Sequence, residues 1–406
     1  MKCTYALAFT LLMMLLLSAF ADASASEPLK KSEIQTTALP SSDAAIKIAG
    51  GFALTGNQSS LDAPAMKGAR LAAKEINAAG GVLGRPLDLV VRDSRYNLTK
   101  TAEMANQFIE EDRVISGIGF SDTDSVLAAG PIFQKAGIPF ITVGASSPKI
   151  PDQIGDMIYL ACFGDNVQAA AGAEYASRNF GKSAYLLFDR SNEYTVLLAG
   201  YFKSSFVELG GNIVLEDSYA NDNADISEQI SRLKRLPSQP DFYYIAAMPN
   251  NVGSVIKQFR DVGLDLPIVG GDGYDTPDLV KTAGRASNGV FFSTHCLMDA
   301  EKGDEGIRNF IAAYNREYGY NPENAFAALG YDALRLMADA IGRAGSTDPE
   351  AIHKAIQETR DFRGITGNIS YLNGTHVPQK GVTIIAVKDE SFTLGAELVP
   401  KAVPAP

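Results

Sequence analysis

The stretch Ile46–Arg92, IKIAGGFALTGNQSSLDAPAMKGARLAAKEINAAGGVLGRPLDLVVR, decides the fold. Ile46–Phe52 is a short apolar run of strand length. Pro64–Ala79 then places Ala65, Met66, Ala69, Ala72, Ala73 and Ile76 on one helical stripe. Leu87–Arg92 reads as strand again. Strand, helix and strand at this spacing make a βαβ unit, whose crossover in a parallel sheet is right-handed.

The alternation continues outward from this unit. Thr101–Glu111 is a helix with Met104, Ala105, Phe108 and Ile109 on one face, and Ser125–Ala136 is a helix between strands at Val114–Ile118 and Pro139–Thr142. After a break near residues 150–165 the rhythm restarts. Helices are expected at Ala169–Arg178, Val196–Leu209, Ile226–Arg235 and Val252–Val262. Strands are expected at Ala184–Phe188, Ile213–Ser218, Phe242–Ala246 and Ile268–Gly270. Two such runs predict an α/β protein of two Rossmann-like lobes, each a parallel sheet flanked by helices. Asp304–Tyr318, Ala325–Ala344 and Pro349–Glu358 are mostly helical, with late strands at Ile369–Leu372 and Val382–Val387. Helices without a sheet must pack on an earlier lobe, so the lobes are expected to be discontinuous in sequence. Residues 399–406, rich in Pro and Ala, form a tail expected to fray.

Composition narrows the function. The 406 residues carry a net charge of −11, which argues against a nucleic-acid partner or an anionic membrane surface. Lys2, the apolar run Ala6–Leu17 and the small-residue sites Ala21-Asp22-Ala23 and Ala23-Ser24-Ala25 have the layout of a secretory signal peptide over residues 1–25. A membrane anchor is the other reading of this run, and the polar stretch after it favours cleavage. Residues 26–43 read as a flexible leader. Cleavage removes Cys3 and leaves Cys162 and Cys296 in an oxidising compartment.

Enzyme motifs are missing. The chain has no G-x-x-x-x-G-K-[ST] loop, no H-E-x-x-H and no G-x-S-x-G elbow. Gly117-Ile118-Gly119 follows a strand, but Asp122 stands where a dinucleotide fingerprint has its third Gly. His295, His353 and His376 are far apart in sequence, and exposed structural roles are expected for His353 and His376. No enzyme, cofactor or metal site is therefore expected. Small polar residues cluster instead at strand ends: Ser121-Asp122-Thr123, Gly144–Pro148, Asp189–Tyr194 and Gly270–Gly273. In an open α/β sheet, ligands bind outside the carboxyl ends of the strands. Free backbone N–H groups there suit a carboxylate, and an Asp among glycines suits an ammonium. Each segment alone also fits a plain N-cap or turn.

An ordered set of segments resembles the periplasmic solute-binding proteins of branched-chain amino-acid ABC transporters, the type I periplasmic-binding fold, from about Ile46 to Leu394. The carriers are Ala63–Gly81 (APAMKGARLAAKEINAAGG), Ala128–Pro139 (AAGPIFQKAGIP), Ile141–Pro148 (ITVGASSP) and Phe362–Ile369 (FRGITGNI). The resemblance implies two lobes joined by three hinge crossings near Cys162, Cys296 and Leu372. Lobe 1 is then 44–162 plus 297–371, and lobe 2 is 163–296 plus 372–398. It implies a monomeric receptor that closes on an amino acid and delivers it to an inner-membrane ABC permease. A ligand-sensing subunit, or a binder of an amide, urea or aromatic acid, is the alternative.

The family's site residues fall, by resemblance, on Thr123 for the ligand carboxylate and on Gly144 and Ser146 for its amine and carboxylate. Tyr194 would cover the ligand, and Asp272 would pair with the ammonium. Leu61 and Met248 replace residues often different in amino-acid binders. Asp122 and Tyr96 occupy the two positions of a disulfide found in some members. Asp122 either bonds Tyr96 or Arg95 in place of that bridge, or faces the cleft and disfavours an anionic ligand. The implied fold puts Cys162 and Cys296 on neighbouring crossings, so a disulfide and two buried thiols are both open.

Overall fold

The computed structural model describes residues 44–220 and 224–406. The expected signal peptide and leader lie outside these residues. One sheet is built from β1 (Ile46–Phe52), β2 (Leu87–Asp93), β3 (Ser116–Gly119), β4 (Phe140–Thr142) and β5 (Ile158–Leu160), in the order β2-β1-β3-β4-β5. All its pairings are parallel. A second sheet takes β6 (Ser183–Asp189), β7 (Asn212–Tyr219), β8 (Phe242–Ala246), β9 (Ile268–Gly270) and β10 (Val290–Thr294), then β13 (Val382–Lys388) and β14 (Ser391–Leu398). Its order is β14-β13-β10-β9-β8-β6-β7, with the last two strands antiparallel. β11 (Phe362–Gly364) and β12 (Gly367–Ile369) form a small hairpin.

Helices begin where a short polar side chain takes up a free backbone N–H. Asn97, Asp122, Asn192, Asp304, Asn324 and Asp348 each cap the helix that follows. The inner strands are mostly apolar and buried, as strands covered on both faces must be, whereas the edge strands β2, β7 and β14 carry charged residues and are partly exposed.

The late helices do pack on the first sheet's core, where Phe326, Leu329, Leu334 and Ile341 join Ile48, Leu61 and Ile118. Ala325–Ala344 lies against Ser59–Ala78 at backbone contact. A Cβ on Gly68 would sit 1.7 Å from the Ala327 carbonyl oxygen, and one on Gly330 would sit 1.9 Å from that of Ala65. Each helix gives the other a notch. The chain passes from one sheet to the other after β5, returns after β10, and passes again between β12 and β13. The last passage runs beside the first. Leu160 N donates to the His376 carbonyl at 2.9 Å, Tyr371 Oη to the Leu160 carbonyl at 2.9 Å and Lys380 Nζ to the Ala161 carbonyl at 3.0 Å.

Several expectations need correction. Of the two readings left open for Cys162 and Cys296, the disulfide is excluded and the two buried thiols stand, both free and buried. They belong to different apolar clusters, Cys162 with the first sheet and Cys296 with Leu71, Phe310 and Tyr314. The Cys162 thiol points at the Ala145 carbonyl instead, 3.4 Å away. Residues 399–406 do not fray: Lys401 N donates to Glu174 and Asn166 donates to the Pro404 carbonyl. The late strand expected at 369–372 ends at Ile369, and Leu372–Gly374 is a 3-10 turn, because the strand's partner is only the three-residue β11. β5, β10, β11 and β14 fall outside the expected strands; β5 and β11 are too short to show a pattern, β10 is buried on both faces and so lacks alternation, and β14 is exposed along most of its length. His353 is buried, its Nδ1 3.1 Å from Tyr159 Oη, and His376 is half-buried, stacked on the Tyr159 ring at 4.2 Å.

Gly330→Ala should lower unfolding free energy by about 1–3 kcal/mol, since two backbones must separate to admit one methyl. Urea unfolding of the purified protein reads this directly. An exposed-glycine control such as Gly210→Ala also carries a strained φ, so Gly342→Ala, which meets nothing, is the better reference.

Candidate functional site

The carboxyl ends of β1, β3 and β4 face those of β6, β8 and β9, and between them lies a small cavity of about 10 Å3. Every residue singled out from the sequence for a ligand lines it: Leu61, Asp122, Thr123, Gly144 and Ser146 from the first sheet's side, Tyr194, Met248 and Asp272 from the second. A larger groove of about 790 Å3 lies elsewhere, lined by Pro148, residues 373–380 and the tail. It holds one buried charge, Lys380, already bonded to Ala161 and Thr366, so the smaller cavity is the better candidate.

The turn after β3 is bent by Gly119 (φ 147°) and Phe120 (φ 55°), the latter in the left-handed region that costs a non-glycine residue energy. Asp62 holds this turn. Its carboxylate accepts from Ser121 N at 2.8 Å and Ala53 N at 2.7 Å, and burial pushes its carboxyl up to about 7. The bend delivers Thr123 to the first turn of the helix Thr123–Ala136. Thr123 Oγ1 is buried and has no hydrogen-bond partner among the described residues. A buried hydroxyl left in that state costs free energy unless something bonds it. Gly144 is glycine because a Cβ there would lie 2.5 Å from the Phe326 ring.

Across the cavity, Asp272 is held by two groups. Gln168 Nε2 donates to its Oδ1 at 3.0 Å, and His295 Nε2 is 3.2 Å from its Oδ2. Burial pushes the His295 imidazole below its ordinary range, so the ring donates as a neutral group and brings no charge. Gln168 Oε1 accepts from Asp272 N at 3.0 Å and from Ser293 Oγ at 2.7 Å, which locks the amide. Tyr194 Oη accepts from Gly273 N at 3.1 Å. Ser146 Oγ donates to Asp165 at 2.7 Å and keeps its lone pairs for another donor.

Asp122 neither bonds Tyr96 or Arg95 nor simply faces the cavity. Its Oδ2 caps the helix through Ser125 N at 3.0 Å, and its Oδ1 accepts from Gln58 at 3.4 Å and from Asn192 at 3.1 Å. The capping bond fixes the carboxylate, so Tyr96 reaches it through the amides of Gln58 and Asn192, the latter's Nδ2 donating to Tyr96 Oη at 3.1 Å. The same amide meets Asp124 at 3.0 Å. Arg95 N is engaged by Asp93 instead. Asn192 thus ties the second sheet's side to three groups of the first. Burial and the neighbouring Asp122 hold the Asp124 carboxyl up at about 6.

Gln58, Pro249, Gly273 and Phe326 also line the cavity and were not singled out. Gln58 follows β1, so the strand-end rule that found the other segments applies to it equally. Phe326 comes from a late helix, and nothing local marks it; only the contact of that helix with Ser59–Ala78 brings it here. No group of three or more His, Cys, Asp or Glu among the described residues is arranged to hold a metal. No helix among them is long and apolar enough to cross a membrane.

Residues 45–391 match the family model described as periplasmic binding protein. The chain belongs to this family. It is 28% identical over 321 residues to "Leu/Ile/Val-binding protein homolog 1" of Brucella abortus, covering 79% of this chain and 84% of that one. Among solved structures, the leucine binding protein LivK of Thermotoga maritima is similar with a TM-score of 0.80 and 32% identity over 88% of this chain and 99% of its own. The branched-chain amino acid transporter substrate binding protein LivJ of Streptococcus pneumoniae, in complex with isoleucine, gives 0.81 and 26%, over 89% and 100%. In this two-sheeted family member the ends of the strands meet where the cavity lies.

Asn192→Asp keeps the capping acceptor for Tyr194 N but sets a third carboxylate against Asp122 and Asp124. Like charges near 4 Å cost about 4 kcal/mol at an effective dielectric of 20. The variant should spend more time open at about pH 7.5, seen as a larger radius of gyration by small-angle scattering. Compactness should return as pH falls through about 6, where Asp124 takes up a proton. An unchanged radius at both pH values refutes the latch.

Proposed function

We propose that this periplasmic binding protein captures an α-amino acid with an apolar, branched-chain type side chain and delivers it to an ABC permease in the inner membrane. One observation carries the reading: a buried, partnerless hydroxyl, Thr123 Oγ1, and a buried carboxylate, Asp272, line the same cavity from opposite sheets. A zwitterion satisfies both at once. Its carboxylate takes the Thr123 hydroxyl and the backbone near Gly144, at the positive end of the helix that Thr123 begins. Its ammonium meets Asp272 and the lone pairs of Ser146.

Leu61, Met248 and Phe326 supply an apolar wall for the side chain, and Tyr194 covers it from the second sheet. The cavity of about 10 Å3 is far smaller than a small-molecule pocket, so the two sides must part to admit a ligand of amino-acid size. An aromatic acid without an amine would face Asp272 and Asp122 with no positive charge of its own, a repulsion of several kcal/mol. The names of the relatives support the same ligand class. Export of the mature chain through the leader peptide belongs to this proposal.

Capture is by closure. Ligand held on one lobe stabilises the conformation in which the other also contacts it. A thermal-shift screen of the mature protein against amino acids, amides and aromatic acids tests the ligand class. A true ligand at a hundred times its Kd stabilises by about 2.7 kcal/mol. Asp272→Ala should weaken binding by about 30-fold or more, because it leaves a buried ammonium unpaired. No shift with any α-amino acid would falsify the assignment.

A further inference from the structure

Behind the cavity stands a second carboxylate that the ligand reading leaves without a task. Asp165 opens the helix Asp165–Asn179 and is fully buried. Its Oδ1 accepts from Ser146 Oγ at 2.7 Å and from Gln168 Nε2 at 2.9 Å. Its Oδ2 is buried with no partner among the described residues. The same Gln168 nitrogen also serves Asp272, so the two carboxylates share one NH2 group and lie about 5 Å apart by hydrogen-bond geometry.

No charge compensates this pair. The titratable groups that face Asp165 are Asp272 from the loop after β9, Glu193, Tyr194 and Tyr201 from the helix Glu193–Glu208, Tyr244 from β8, and Cys162 after β5. His295 lies beyond Asp272 and is held neutral by burial. Lys380 Nζ is turned to the Ala161 carbonyl and Thr366, and its charge is opposed by Asp332. Two buried carboxylates this close, with no cation, cannot both ionise cheaply. Burial first, then the Asp272 charge, hold the Asp165 carboxyl up at about 8.

We infer that Asp165 is a positioning residue of the amine site that gives its proton to solvent when a ligand ammonium arrives beside Asp272 and Ser146, so that capture releases a proton. This rests on the amino-acid reading above. In the free protein the Asp165 carboxyl is protonated. The arriving ammonium supplies the missing positive charge, and the Asp165 O–H bond breaks with its electron pair left on the carboxylate. Ser146 then donates to Asp165 and turns its lone pairs to the ammonium. The proton leaves to buffer; the ligand keeps all of its own. Affinity therefore rises with pH while the free protein still holds the proton, and levels off above it.

Isothermal titration calorimetry of the mature protein with L-leucine, from about pH 6 to pH 8.5, in phosphate and in Tris, reads the proton. Up to one proton per ligand should be released at about pH 7, seen as a binding enthalpy that differs with the buffer. Kd should fall by up to about tenfold per pH unit below pH 8 and flatten above it. Asp165→Asn keeps an acceptor for Ser146 but holds no titrating proton, so its Kd should be flat and its enthalpy independent of buffer. Asp124 and Asp275, held up at about 6 and about 7, titrate in the same interval, and this variant separates their contribution. Leucine binding in the wild type with a flat profile and one enthalpy in both buffers overturns the inference and leaves the amino-acid reading standing. A full slope retained in Asp165→Asn overturns it also. No binding of any α-amino acid overturns both.

Discussion

Two glycines let two helices touch backbone to backbone, and the two-lobed arrangement depends on that contact. Gly68 and Gly330 sit where any side chain would collide with the opposing main chain. The approach they permit brings the helix Ala325–Ala344 back onto the first sheet after the chain has already built most of the second. It also carries Phe326 to the cavity wall and sets Ala325 N on Asp275, a bond between the late helix and the second sheet's loop. A bulkier residue at either notch would move the cavity wall and the return path together.

Carboxylates do much of the remaining work, and burial sets how they do it. Asp62 braces the bent turn after β3, Asp122 caps a helix and meets Asn192, Asp275 bridges Thr294 and Ala325, and Asp165 stands behind Ser146. Each of these groups has its protonated form favoured by loss of water. Their native carboxyls sit above the unfolded range, so the stability they contribute is full below about pH 4 and is lost as pH rises from there to the native values, about 7 for Asp62 and Asp275 and about 8 for Asp165. Of the groups that line the cavity itself, Asp122 and Asp272 carry the carboxyls, which is why a ligand with its own positive charge suits it.

Much of this was legible before any coordinates. The alternation that starts at Ile46 gives the parallel sheets, the rule that ligands meet strand ends picks out the segments Ser121–Thr123, Gly144–Pro148, Asp189–Tyr194 and Gly270–Gly273, and the family resemblance implies Thr123, Gly144, Ser146, Tyr194 and Asp272 within them. What stayed hidden depends on contacts between distant segments. Phe326 reads as an ordinary core residue until its helix is docked. Asp165 and Gln168 read as the polar start of a helix, and only burial beside Asp272 gives them meaning. Asp122 was read against the wrong partners because Asn192, 70 residues away, has no local mark of its role. The sequence leaves a disulfide and two buried thiols open for Cys162 and Cys296, because position near the hinge does not say that each side chain turns into a different core.

The passages between the sheets have a mechanical consequence. The first and third are stitched by Leu160 to His376, Tyr371 to Leu160 and Lys380 to Ala161. Two passages tied at three points resist sliding past one another, though they still twist together. Relative motion of the lobes is thereby reduced toward a single rotational coordinate, closer to a door on a plate than to two bodies on three threads. A ligand then has one angle to select rather than a cloud of orientations, and the entropy of searching is removed by the chain before the ligand arrives.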